Sequence, residues 1–148
     1  MKRLFLFLFI VNSISAFCQS NFISMKETRL EGYIFDKSYK YPFSMDSIGG
    51  RFSPTEDEIL LAEGLLKFFD TSITSSSRQK RRQYIGYTEG TTKYLLIHVM
   101  YFKNEKQFQM DFAGWEKDFS LLFTEPDAKQ KSFLYLVNLK DQTIGWPR

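Results

Sequence analysis

Residues 93–102, KYLLIHVMYF, carry apolar side chains on both alternating sets of positions. Tyr94, Leu96, Met100 and Phe102 would face one side of an extended chain, and Leu95, Ile97, Val99 and Tyr101 the other. Successive side chains of a strand point to opposite faces. A strand that is apolar on both faces therefore has to be covered on both. The segment is predicted to be a central strand, and the rest of the chain must provide its neighbours and its cover. One neighbour lies just upstream. Gln83 to Thr88, then Glu89-Gly90-Thr91-Thr92, then Lys93 onward reads as a hairpin with glycine at a positive-φ turn position.

The cover is predicted between Arg51 and Thr71. Ser53 and Glu56 have capping-box spacing, with Pro54 at the first helical position. Glu56, Asp57 and Glu58 suit the positive end of the helix dipole, and Glu63 is expected on the helix's polar face. Ile59, Ala62, Leu66 and Phe69 form an apolar stripe, widened by Leu61, Leu65 and Phe68. Gly64 weakens the middle by up to ~1 kcal/mol relative to alanine. Two more strands are expected, Asp118 to Thr124 and Ser132 to Leu139, around a Glu125-Pro126-Asp127-Ala128 turn. Upstream, Tyr33, Phe35, Tyr39, Tyr41 and Phe43 alternate about a turn at Asp36-Lys37-Ser38, and Pro42, which cannot donate to a ladder, puts this piece at an edge or ends it there. The expected fold class is α+β, with one N-terminal amphipathic helix packed on a four-stranded antiparallel sheet and preceded by a β arm.

A helix followed by such a sheet resembles the cystatin-like and NTF2-like architectures, a likeness of fold that carries no function. Three pieces, Phe52-Ser53-Pro54-Thr55, Ala62-Glu63 and Arg82 to Tyr87, resemble small exported proteins of Bacteroidota that carry Tyr-Thr-Pro-Thr, a helix with Ala-Glu, and Arg-Gln-Tyr-x-Gly-Tyr before a hairpin. The resemblance implies export and brings no activity with it.

The first residues point the same way. Lys2 and Arg3 precede an apolar run from Leu4 to Val11 that is too short to span a bilayer, and Ala16-Phe17-Cys18 fits small-x-small cleavage. Residues 1–18 are expected to leave as a signal peptide, giving a single domain over 19–148, periplasmic or extracellular. The rival reading is a lipid anchor through Cys18, against which the bulky Phe17 speaks. No other apolar run is long enough to cross a membrane. Without Lys2 and Arg3 the net charge falls from +3 to +1. Nucleic-acid binders normally carry a marked basic excess, so that class is excluded. With Cys18 gone no thiol remains for a disulfide or a metal.

The remaining candidates are few. The run Arg78, Lys80, Arg81 and Arg82 reads as a solvated cluster guarding an aggregation-prone hairpin. The other reading is a contact for an anionic partner such as a polysaccharide or lipid headgroups. His98, the single histidine, is expected in the core or lining a pocket, because zinc would need further His or Cys ligands. No metal or other cofactor is expected. There is no cysteine nucleophile in the mature chain and no G-x-S-x-G. An enzyme is left with unpaired acids such as Asp111 and Glu116. The stretch 103–117, KNEKQFQMDFAGWEK, reads as a long loop whose aromatics either pack or anchor a partner. The expected function is a non-enzymatic binding module for a protein or glycan, with Tyr39, Tyr41, Phe112 and Trp115 as candidate partner contacts. The alternative is a hydrolase or accessory enzyme using carboxylates.

Overall fold

The computed structural model describes residues 20–25, 30–39, 49–76, 78–119 and 132–147. Seven strands form one mixed sheet: β1 Ser20–Met25, β2 Leu30–Phe35, β3 Arg51–Phe52, β4 Gln79–Glu89, β5 Thr92–Phe102, β6 Ser132–Asn138 and β7 Thr143–Gly145. Helices α1 Glu56–Phe69 and α2 Ser72–Ser75 lie between β3 and β4, and α3 Glu105–Asp111 follows β5. The strand order is β1-β2-β4-β5-β6-β7, with β3 paired to one end of β4.

The hairpin forms as its sequence dictates. Glu89 pairs with Thr92 and Gln79 with Phe102, and Gly90 takes φ +58° at the turn. β5 is central and buried from Leu95 to Phe102. Its odd positions, Leu95, Ile97, Val99 and Tyr101, join Ile59, Ala62 and Leu66 of α1 in one core. On the other face Leu96 packs with Phe35, Tyr39, Ile85 and Phe119, and Met100 and Phe102 pack with Phe108, Phe112 and Trp115. The two apolar sets of β5 thus serve two separate layers.

Several expectations are corrected. The sheet is not four antiparallel strands behind an N-terminal helix: three strands precede α1, and β2 runs parallel to β4 (Gly32 opposite Arg82, Phe35 opposite Ile85). Two parallel strands need a crossover connection, and the chain between them supplies one in β3, α1 and α2. The supposed edge arm is therefore internal to the sheet, with β1 outside it. The cystatin-like or NTF2-like layout falls with the strand order.

The turn at Asp36 is present, its carboxylate accepting from the Ser38 amide at 2.7 Å. The helix starts two residues later than expected. Thr55 is the N-cap, accepting from the Glu58 amide, while Glu58 reaches back to the Thr55 amide at 2.9 Å. Ser53 instead accepts from the Lys37 amide, tying the helix approach to the β2 turn. The expected loop after β5 contains a helix capped by Asn104, whose side chain accepts from the Gln107 amide. Phe108, Phe112 and Trp115 fall on one side at helical spacing, so the stretch covers the sheet. The predicted signal segment, Cys18, Tyr41, Pro42, the turn Glu125–Ala128 and most of the strand expected at 118–124 lie outside the described residues.

Candidate functional site

Because β4 begins at Gln79, Lys80, Arg81 and Arg82 sit inside a strand with Arg78 just before it, and the pleat sends the three to opposite faces. Arg81 faces the α3 layer. Its Nε lies 3.3 Å from Glu31 and its Nη1 3.0 Å from Glu105, and the guanidinium rests 4.4 Å from the Phe108 ring centroid. Lys80 and Arg82 face the α1 layer, opposite Tyr101 and Val99. The cluster is therefore built into the fold, and the reading of it as a wholly solvated guard is corrected.

Arg82 is 7% exposed and Glu63, on α1, 3%. Arg82 donates from Nε to Glu63 Oε1 (3.0 Å) and from Nη2 to Oε2 (3.4 Å), and the Tyr84 hydroxyl donates to the same Oε1 at 3.0 Å. Burial by itself would lower the pKa of Arg82, but the facing carboxylate reverses this and holds it above the ordinary value. Burial and the same carboxylate push the Tyr84 phenol well up. Sequence alone placed Glu63 on the polar side of α1. In the fold it lies at the margin of the buried stripe, where β4 brings it a cation.

Above this pair opens a cleft of about 790 Å³, lined by Lys67 of α1, Ile73 and Thr74 of α2, Leu30 and Glu31 of β2, and the segment from Arg78 to Arg82. Five cations and two carboxylates line it. The Lys80 ammonium donates to the Ser76 carbonyl at 3.0 Å and lies over the Tyr101 ring. Burial, and then the positive charge of Arg82, hold its pKa below the ordinary lysine value. A concave site with excess positive charge and low-dielectric walls concentrates anions. The sequence signal for it was present, since cations at alternate positions of a strand share a face. That signal needed the strand to start at Gln79.

The opposite face carries the single histidine. Gln83 lies across from His98 and donates from Nε2 to the carbonyls of Trp115 (2.6 Å) and Asp118 (2.8 Å). Two carbonyls claim the amide nitrogen, which leaves Gln83 Oε1 to accept from His98 Nδ1 at 2.8 Å. The ring therefore carries a proton at Nδ1. Burial lowers its pKa to about 4. His98 is the core histidine expected, and it anchors the segment after α3.

The candidate partner contacts sit inside. Tyr39, Phe112 and Trp115 are buried, and the Tyr39 hydroxyl accepts from the Phe119 amide at 2.8 Å. None of the three turns a face outward, and Tyr41 lies outside the described residues. Asp111 closes α3 and Glu116 follows in the next turn; neither lines the cleft. The exposed apolar side chains are others. Phe68 on the outer side of α1 is 89% exposed, and Trp146 is 53% exposed, against Phe69 and Tyr135. Among the described residues no His, Cys, Asp and Glu side chains gather as a metal site, and no helix is long and apolar enough to cross a membrane. Compared with protein-family models, curated proteins and solved structures, the chain matches none.

Proposed function

We propose that this chain is an exported, non-enzymatic binding module that holds an anionic part of a glycan or protein partner in the cleft between α1, α2, β2 and β4. The observation that carries the reading is the lining itself: Lys67, Arg78, Lys80 and Arg82 converge on one concavity, with a buried ion pair as its floor. The pair holds Arg82 in place before any ligand arrives, so little ordering is left for binding to cost. A near-neutral chain with one local basic concavity suits a partner with few charges in a defined place. A uniformly charged polymer would be better met by an extended basic stripe.

The test is binding of acidic and neutral glycans, and of an acidic protein, to the purified protein and to a Lys67→Glu, Lys80→Glu variant. Acidic ligands should be retained by the parent and lost by the variant, with the parent's binding weakened by salt, as contacts between charges require. Equal retention by both proteins would refute the assignment. Phe68 favours one variation, a protein partner that also covers the outer side of α1. In that case Phe68→Ser should weaken capture of the protein and leave acidic glycans unaffected.

A further inference from the structure

The charges in the cleft divide into two groups. Arg81 is held by Glu31 and Glu105, and Arg82 by Glu63. Lys67, Arg78 and Lys80 have no carboxylate partner among the described residues. The lining therefore carries an uncompensated positive excess in a half-enclosed space, where like charges repel more strongly than in open water. The pKa of Lys80 is lowered first by burial and then by the charge of Arg82.

Donor geometry then selects among anions. A planar carboxylate is best gripped by the side-on fork of a guanidinium, two parallel N–H donors on one edge. In Arg82 that edge, Nε with Nη2, is already given to Glu63. No acceptor among the described residues takes Nη1, and this nitrogen is not sealed from solvent where Arg82 lines the cleft. In its depth the cleft thus offers single donors from separate side chains, Arg82 Nη1 and the Lys80 ammonium, while the exposed Lys67 and Arg78, whose guanidinium fork is free among the described residues, stand at its outer part. Donors that arrive from several directions match an anion whose oxygens point in several directions, and a phosphate group presents three such acceptors with close to two charges.

Resting on the reading of the cleft as the ligand site, we infer that it binds a tetrahedral oxoanion, a phosphate or sulfate group carried as an ester. Glu63 limits how deep the group enters. Glu63 itself lines the cleft, and its carboxylate, which accepts from Arg82 Nε and Nη2, repels an anion that would displace it, so the oxoanion meets Arg82 at Nη1. The ester's organic part then lies toward the rim.

The experiment is calorimetric titration of the purified protein with inorganic phosphate, inorganic sulfate and acetate at one low ionic strength. Phosphate or sulfate should bind about tenfold or more tighter than acetate, because several charge-assisted donors act on one group. Lys80→Gln and Arg82→Lys should each weaken that binding by about tenfold. Circular dichroism reports whether Arg82→Lys folds. If it does not, Lys80→Gln and Lys67→Gln carry the test. A hexose phosphate, a hexose sulfate and phosphatidic acid vesicles distinguish a sugar ester from a lipid headgroup, and preference for any of them over acetate supports the inference. Acetate or a polyuronate binding as tightly as phosphate overturns the oxoanion class while leaving the cleft a binding site. Oxoanion binding unchanged in Lys80→Gln and Lys67→Gln places the anion elsewhere and overturns the inference. Loss of every anion, together with partner binding unaffected by charge reversal, removes the inference and the proposed function together.

Discussion

Replacing Glu63 by alanine leaves Arg82 charged, buried and without its carboxylate. Both side chains are nearly inaccessible, at 8% for Arg82 and 5% for Glu63, so solvent screens the loss little. Breaking a buried pair by removing one partner costs about 3–5 kcal/mol, most of it the stranded charge. The Tyr84 hydroxyl also loses its acceptor, which adds about 1 kcal/mol. Against a total stability of roughly 5–15 kcal/mol, Glu63→Ala should be among the most damaging single changes in the chain. Replacing both members, as Glu63→Leu with Arg82→Met, removes the desolvation cost together with the attraction, a change that is neutral or stabilising by about 1–4 kcal/mol, against which the Tyr84 hydroxyl still loses its acceptor at about 1 kcal/mol. Urea unfolding, followed by tryptophan fluorescence with Trp115 as the buried reporter, reads both variants. At m values of about 1–3 kcal/mol/M the single variant's midpoint should fall by at least about 1 M at unchanged m. The double variant should remain folded and should lose oxoanion binding. A loss below about 1 kcal/mol for Glu63→Ala, or a double variant as unstable as the single, would contradict a buried and coupled pair.

His98 makes stability depend on pH. Its folded pKa of about 4 lies below its ordinary 6.5, so between these values the unfolded chain binds the proton that the folded one refuses. Stability is then full above pH 6.5 and falls as pH drops toward 4, by about 2–3 kcal/mol at pH 4.5. Urea midpoints at pH 7, 5.5 and 4.5 should show the slope, and His98→Gln should flatten it; an unchanged slope would mean that the ring is not buried as neutral. Leu66→Ala removes a side chain with no exposed surface from the α1 core and should cost about 2–5 kcal/mol in the same assay, whereas a silent substitution would displace α1 from the sheet. Lys67→Gln, an exposed cation of the cleft, should change stability by no more than about 0.5 kcal/mol, so that its effect on binding can be read apart from folding. Intact-mass analysis of protein recovered from cells should show a chain beginning at Gln19, and a diacylglycerol mass on Cys18 would replace free export with a lipid anchor.

Much of the local structure was legible because it depends on near neighbours in the chain. The period-two pattern of 93–102, apolar on both sides, demanded a central strand, and Gly90 marked the one place where the chain could turn back on itself. The stripe through Ile59, Ala62 and Leu66 required a helix lying on a sheet, whichever residue began it. Asp36 and Ser38 formed their turn from side-chain hydrogen bonds within two residues. These features rest on dihedral preference and side-chain periodicity, which act over one or two turns of chain.

What sequence left open was decided by distance. β2 runs parallel to β4 across an intervening helix, and no local pattern records which strand will be its neighbour. α3 is seven residues long, and the stripe of Phe108 on it with Phe112 and Trp115 beyond its end gains meaning only when Met100 and Phe102 lie beneath it. The pieces Phe52-Ser53-Pro54-Thr55, Ala62-Glu63 and Arg82 to Tyr87 stand apart in the chain, yet they meet in space. Phe52 lies opposite Gly86, where a Cβ would come within 3.0 Å of the Phe52 carbonyl and ring, and Glu63 takes Arg82 and Tyr84. As residues, Glu63 and Arg82 looked like a helix surface and a solvated basic run. Burial changed their chemistry, because a charge removed from water must find its opposite, and only the tertiary fold brings that partner from across the sheet.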